Sequence, residues 1–186
     1  PNEEGYCCFG ASLWDQKVVA QDARTTIAAV DPSIPPTHGD TWIHVSEIDW
    51  FVPIEPWQIP RLPAPVDEPW EQAIADSVSE LVRDGDTVQV GLGSTTSAVV
   101  RLGAFSGKES LAYWGELTVA GTIDLVRSGV IDGKRANTHP GKFIATSAGN
   151  SEADVDFIGG NPVFEFYGPE YVHNPRFVAQ NDNMVA

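Results

Sequence analysis

Pro53, Pro56, Pro60, Pro63, Pro65 and Pro69 crowd into one short stretch of the 186-residue chain. Each proline fixes φ at roughly −65° and removes a backbone donor, so neither a helix interior nor a central strand can run through the segment. An extended connection is expected there, with Trp57, Ile59 and Leu62 laying it along a surface. It reads as a domain boundary that divides the chain into residues 1–66 and 67–186. A chain of this length has room for one core or for parts of two.

The second part opens with a marked helix. Asp67 is the expected N-cap, and Glu68, Pro69 and Glu71 fill a first turn that favours acids and proline. Trp70, Ile74, Val78, Leu81 and Val82 recur at spacings of three and four, which predicts one buried face. Asp84-Gly85 ends the helix. There follow a short apolar strand over Thr87–Val90, a loop with Gly91 and Gly93, and a second helix start. Neither glycine carries a Cβ, so backbone can come close to a ligand there. Ser94 and Thr95 bring hydroxyls and free amides to a helix N-terminus, which favours negative charge. The loop is therefore either a pocket for a phosphate, carboxylate or oxyanion, or a plain strand-to-helix turn. A dinucleotide fingerprint would need glycine where Thr96 stands, and a P-loop would need a lysine that the sequence lacks.

Alternation continues through the rest of the chain. Helices are expected over 16–24, 97–102, 122–127 and 151–158. Strands are expected over 25–30, 42–52, 111–114, 142–146 and 163–167, with one more beginning at Phe177–Gln180. The run Thr25–Val30 is apolar throughout, as in a parallel strand buried on both faces. The fold class is α/β, a mostly parallel sheet flanked by helices.

Composition narrows the partners. A net charge of −15 argues against nucleic acid and anionic membrane surfaces, and no apolar run has membrane-span length. The start, PNEEGY, is acidic, lacks a signal-peptide pattern and has no initiator methionine, so a fragment or processed piece of a cytoplasmic protein is expected. Cys7 and Cys8 are adjacent, a spacing that rarely forms a bridge and builds no zinc site. His38, His44 and Glu47 lack metal-ligand spacing, and no metal is expected.

Several blocks share one resemblance. Gly5-Tyr6 with Phe9-Gly10, HGDTWIHVSEIDWFV, DGDTVQVGLGSTTSAVV, GELTVAGTIDLVRSGVIDGKRANTHPGKFIAT and NPVFEFYGPEYVHNPRFVAQNDNMVA together resemble the acetyl-CoA hydrolase and 4-hydroxybutyrate CoA-transferase family, a branch of the class I CoA-transferases. The resemblance covers nearly the whole chain, and its THPGK and AQNDNMV blocks are specific. It implies two similar CoA-transferase-type α/β domains, both incomplete here: residues 1–66 end the first and residues 67–186 begin the second. It also implies a nucleophilic glutamate C-terminal to Ala186, coenzyme A as substrate rather than bound cofactor, and an acyl-CoA and a small carboxylate as partners. The remainder of the same polypeptide, or a complementary chain, would complete the site, in a homo-oligomer. In such enzymes the glutamate attacks an acyl-CoA thioester to give a mixed anhydride. CoA thiolate then attacks the glutamyl carbonyl to leave a glutamyl-CoA thioester, and an incoming carboxylate reverses the sequence.

Candidate substrate-binding residues are Gly91, Gly93, Ser94, Thr95, Gln180, Asn181 and Asn183. The three amide side chains would orient the missing glutamate or else satisfy buried backbone. Glu116, His139 and Trp114 are weaker candidates. Glu116 could equally cap Thr118, His139 could be a structural hydrogen-bonder, and Trp114 stands where many relatives have a histidine-threonine pair. Trp42, Trp50, Trp57 and Trp70 are simplest as packing anchors between domains. Acyl-CoA hydrolysis on the same scaffold is the alternative function. A sugar-phosphate isomerase with a similar phosphate loop, or a non-catalytic remnant, is a more distant one.

Overall fold

The computed structural model describes residues 1–56 and 67–186. Most of the proline-rich connection, with Trp57, Ile59 and Leu62, lies outside the described residues.

The first part contains strands β1 (Tyr6–Cys8), β2 (Ile27–Val30), β3 (His38–Gly39), β4 (Trp42–His44) and β5 (Trp50–Pro53), with helix α1 (Gln16–Asp22) between β1 and β2. β1 pairs antiparallel with β4, and β2 pairs parallel with β5. The expected continuous strand over 42–52 is in fact two strands. A 3-10 turn at Val45–Glu47 separates them, closed by the Ser46 N–H donating to His44 Nδ1 at 3.2 Å and the His44 N–H donating to Glu47 at 3.3 Å. β2 is parallel as expected but not buried. Among the described residues only β5 flanks it, and Ile27 is 64% and Trp50 66% exposed.

The second part holds α2 (Pro69–Leu81), β6 (Thr87–Val88), α3 (Ser94–Arg101), β7 (Ala112–Gly115), α4 (Thr122–Arg127), β8 (Phe143–Ala145), α5 (Glu152–Ile158), β9 (Phe164–Phe166), α6 (Pro169–Val172), α7 (Pro175–Val178) and β10 (Met184–Val185). Six strands form one parallel sheet in the order β10-β6-β7-β8-β9-β3. The outermost strand comes from the first part: β3 docks against β9 with His38 opposite Glu165. Gly39 makes this approach possible, since a Cβ there would sit 2.3 Å from the Phe166 carbonyl oxygen.

Register decides the two faces of the sheet. Tyr113, Phe143 and Phe164 lie in one cross-strand row, all at most 1% exposed, with Tyr113 and Phe143 stacked at 4.2 Å. With Val82, Ile123 and Ile158 they form the main core. The next row, Trp114–Ile144–Glu165, points to the opposite face. There Trp114 and Ile144 pack with Val172 of α6, Phe177 of α7 and Met184 of β10.

Three expectations need correction here. The α2 N-cap is Glu68, whose N–H donates to the Glu71 carboxylate at 2.8 Å, while Asp67 pairs with Arg101. α2 turns Glu71, Ala75 and Val82 inward, whereas Trp70, Ile74 and Leu81 are 51%, 37% and 69% exposed. Small residues explain the rotation: Ala75, Val99 and Ala104 pack as a cluster, which lets α2 and α3 approach closely. Trp50 and Trp70 are exposed among the described residues, while the Trp42 indole donates to the Thr37 carbonyl at 3.1 Å. Finally, Phe177–Gln180 is not a strand. Asn174 caps Arg176 through its side chain and Pro175 starts α7, so the last strand forms later, as β10.

Candidate functional site

The glycine loop connects β6 to α3 at the C-terminal edge of the sheet, the edge where open α/β sheets take ligands. Gly93 has φ +151° and ψ 164°, a conformation essentially reserved for glycine. Its carbonyl accepts three donors: the Ser97 N–H at 3.0 Å, the Ser97 hydroxyl at 2.7 Å and the Thr96 hydroxyl at 3.0 Å. This ties the loop to α3 and leaves the first N–H groups of that helix directed outward, without intrahelical partners. Gly91, Leu92, Gly93 and Ser94 are exposed, Thr95 is half-buried, and a Cβ on Gly91 would meet nothing within 4 Å. The arrangement offers amides to an anion approaching this edge.

Neighbouring strand ends build the rest of the edge. Glu116, just past β7, has a carbonyl that accepts the Thr146 N–H at 3.0 Å, the Ser147 N–H at 2.9 Å and the Thr146 hydroxyl. Its carboxylate is half-buried, 4.0 Å from His173 Nε2. It does not cap Thr118. The Thr118 hydroxyl donates to Asn150 at 3.1 Å and accepts the Gly149 N–H at 3.0 Å. The Tyr113 hydroxyl donates to the Leu117 carbonyl at 2.7 Å and lies 3.5 Å from that of Val90, which joins the loops after β6 and β7. Burial pushes this phenol well up, so it remains a neutral donor. Tyr113, Thr146, Asn150 and His173 were not singled out from the sequence. The parallel register brings the ends of β6, β7 and β8 to one edge, where Tyr113 reaches Val90 and Thr146 reaches Glu116.

The amide block lies elsewhere. Gln180, Asn181 and Asn183 precede β10, at the N-terminal edge of the sheet and opposite the glycine loop. Gln180 is exposed, and its side chain donates to the Arg176 carbonyl at 2.9 Å. Asn181 is 7% exposed. Its side chain donates to the Phe177 carbonyl at 3.2 Å and accepts the Thr138 hydroxyl. Asn183, at φ +53°, is exposed and its carbonyl accepts the Thr87 N–H at 3.1 Å.

His139 and Trp114 occupy the face covered by α6 and α7. The Trp114 indole is 2% exposed and donates to the Val172 carbonyl at 2.8 Å. His139 bridges the Glu165 carboxylate (Nδ1, 3.0 Å) and the Tyr171 hydroxyl (Nε2, 2.7 Å), and its ring stands edge-on to Trp114. Tyr167 donates to Glu165 at 3.0 Å and Lys142 pairs with it at 3.1 Å. Burial alone would push the Glu165 carboxyl up, but the bonds from Lys142, Tyr167 and His139 together hold it below its ordinary value. Burial beside that carboxylate raises the Tyr167 and Tyr171 phenols. His139 thus satisfies a carboxylate that β9 places on a largely apolar sheet face. No helix among the described residues is long and apolar enough to cross a membrane.

No family model matches the chain. Individual proteins do. The 4-hydroxybutyrate coenzyme A transferase of Clostridium kluyveri is 37% identical over 100% of this chain and 43% of its own length. The succinyl-CoA:cyclohexane-1-carboxylate CoA transferase of Geobacter metallireducens is 33% identical over 100% of the chain and 42% of its own length. Among solved structures, 4-hydroxybutyrate CoA-transferase from Porphyromonas gingivalis superposes with a TM-score of 0.88 at 34% identity, covering 99% of this chain and 46% of that one. RipA from Yersinia pestis gives a TM-score of 0.89 at 27% identity, covering 98% and 41%. The chain spans less than half the length of each of these proteins. Over nearly its whole length the chain is therefore similar, in sequence and in fold, to part of the 4-hydroxybutyrate CoA-transferases.

Proposed function

We propose that this chain is part of a cytoplasmic CoA-transferase that moves CoA between an acyl-CoA and a small carboxylate through a glutamyl-CoA thioester. One observation carries the reading beyond resemblance. β10 runs parallel to β6, and the Gln89 N–H donates to the Val185 carbonyl at 2.9 Å, so both strands end at the same edge. A glutamate shortly after Ala186, where the family pattern puts the nucleophile, would emerge beside the Gly91–Thr95 loop. Its attack on a thioester and the return attack by a carboxylate each pass through a tetrahedral oxyanion. Loop amides of Gly93, Ser94 and Thr95 stand ready to receive that charge. A single such donor is worth roughly 3 kcal/mol of barrier. In the same reading residues 67–186 begin the second α/β domain, residues 1–66 end the first, and the whole enzyme is a homo-oligomer.

The test supplies acyl-CoA to the whole protein with and without acetate, and follows free CoA and newly formed acyl-CoA separately. Exchange dependent on carboxylate, with little free CoA, is the expected result. Steady release of free CoA without added carboxylate would make the enzyme a hydrolase instead.

A further inference from the structure

We propose that Asn137 is a positioning residue: its side-chain amide sets the register of β10 and so fixes where the chain leaves the sheet beside the glycine loop. The kinetic part of this inference rests on the function proposed above, and the structural part does not.

β10 has little of its own to define its register. It is two residues long and, among the described residues, pairs only with β6, through Met184 opposite Thr87 and Val185 opposite Val88. Register nevertheless matters, because Met184 packs with Trp114 and Ile144 on one face while Val185 packs against the main core on the other. A slip of one residue would exchange the two faces and move the strand end by about 3.3 Å.

The missing definition comes from the loop before β8. The Asn137 side chain donates through Nδ2 to the Gln180 carbonyl, and its Oδ1 accepts the Asp182 N–H at 3.0 Å. One amide thereby donates to and accepts from the same turn, as a neighbouring strand's peptide would. Thr138 adds the hydroxyl bond to the buried Asn181. The loop that carries them is itself anchored. Lys142 N–H donates to the His139 carbonyl at 3.0 Å, Gly141 N–H donates to the Gly133 carbonyl at 2.9 Å, and the His139 ring is held between Glu165 and Tyr171. His139 takes φ +46° to enter that position, a conformation uncommon for a side-chain-bearing residue. A continuous set of bonds thus runs from β9 through residues 137–139 to the turn that feeds β10. A catalytic group delivered by β10 would depend on it, since a misplacement of 1 Å costs on the order of 100-fold in rate.

The experiment compares Asn137→Ala, Thr138→Val and Thr138→Ser in the whole protein by hydrogen exchange and by steady-state kinetics. Asn137→Ala should speed exchange at the Asp182, Thr87 and Gln89 amides and lower kcat about 100-fold, with KM for acyl-CoA changing less than about threefold. Thr138→Val should do the same to a smaller extent, and it keeps the test intact should Asn137→Ala not fold. Thr138→Ser, which retains the hydroxyl, should restore both readouts. Unchanged exchange at the three amides in Asn137→Ala and Thr138→Val would overturn the role in register. Faster exchange with unchanged kcat would overturn the role in positioning. Variants that exchange as expected beside a wild-type protein that itself transfers no CoA would support the register role and overturn the proposed function.

Discussion

Replacing Gly91 and Gly93 in turn separates what the glycine loop does for folding from what it does for a ligand. A Cβ at Gly91 meets no protein atom within 4 Å, and Gly91 lies outside the positive-φ region. Gly91→Ala should therefore leave stability unchanged or raise it by about 0.4–1 kcal/mol, because it restricts the unfolded chain. Gly93 is the opposite case. Space is available, since the nearest atom to a Cβ is the Thr96 hydroxyl oxygen at 3.4 Å, but φ +151° is not. Holding alanine there costs about 1–3 kcal/mol. Escape from it would rotate a carbonyl that now accepts three donors at the start of α3. The Gly93→Ala cost stays below the roughly 5–15 kcal/mol of a typical domain, so both variants should fold. Urea denaturation should accordingly place Gly93→Ala below wild type and Gly91→Ala at or above it. Turnover then reads the ligand. Gly91→Val fills only the space that an approaching anion would use, and it should lower CoA transfer about 10²–10³-fold, as for the loss of one oxyanion donor. A folded Gly91→Val protein with normal turnover would return the loop to a simple strand-to-helix turn. A Gly93→Ala protein as stable as wild type would refute the conformational argument.

Two further outcomes follow from the opposite face of the sheet. Glu165 has a folded-state pKa below its ordinary value, so its contribution to stability is present above the unfolded pKa and is lost as pH falls through the folded one. Thermal melts between neutral and acid pH should show a smaller acid-side decline for Glu165→Gln than for wild type, with Glu165→Gln already less stable at neutrality. Trp114→Phe removes the donor to the Val172 carbonyl and leaves a small void among Ile144, Val172 and Tyr171. It should cost about 1–3 kcal/mol in urea titrations.

The alternation of strands and helices after residue 67 was legible because each strand is a short apolar run and each helix has a marked end. Ser151 caps α5, and Gly129 follows α4 closely. The errors arose where two local signals competed. Phe177-Val178 looks like the start of a strand, yet Asn174-Pro175 just before it is a helix cap with proline at the first position, and the cap prevailed. Periodicity placed Trp70, Ile74 and Leu81 inside because apolarity was the only available measure. What decides the buried face of α2 is the small size of Ala75 opposite Val99 and Ala104, which no single-helix pattern reveals. Glu71 is buried with its carboxylate accepting the N–H of the N-cap residue Glu68, a bond that a hydropathy pattern does not contain. The glycine loop was legible as one candidate site. That Gln180, Asn181 and Asn183 sit at the other edge was not, since it depends on the direction in which β10 joins β6. The group of Trp114, His139, Glu165 and Tyr171 comes from four separate segments and has no signature within any one of them.

The outer strands of the sheet also set a timetable for folding. β6, β7, β8 and β9 follow one another in sequence and in space, so each pairing closes a short loop through a helix. β10 must instead reach back past all of them to β6, and β3 must wait for β9, which follows it only after β4 to β8. Closing such long loops is entropically costly and is rewarded only once the partner edge exists. The four inner strands are therefore the early assembly, and both rims are sealed late. The end of β10 beside the glycine loop therefore falls into register only after β6 and its neighbours have paired, so the loop takes its place in the sheet before the strand end that flanks it.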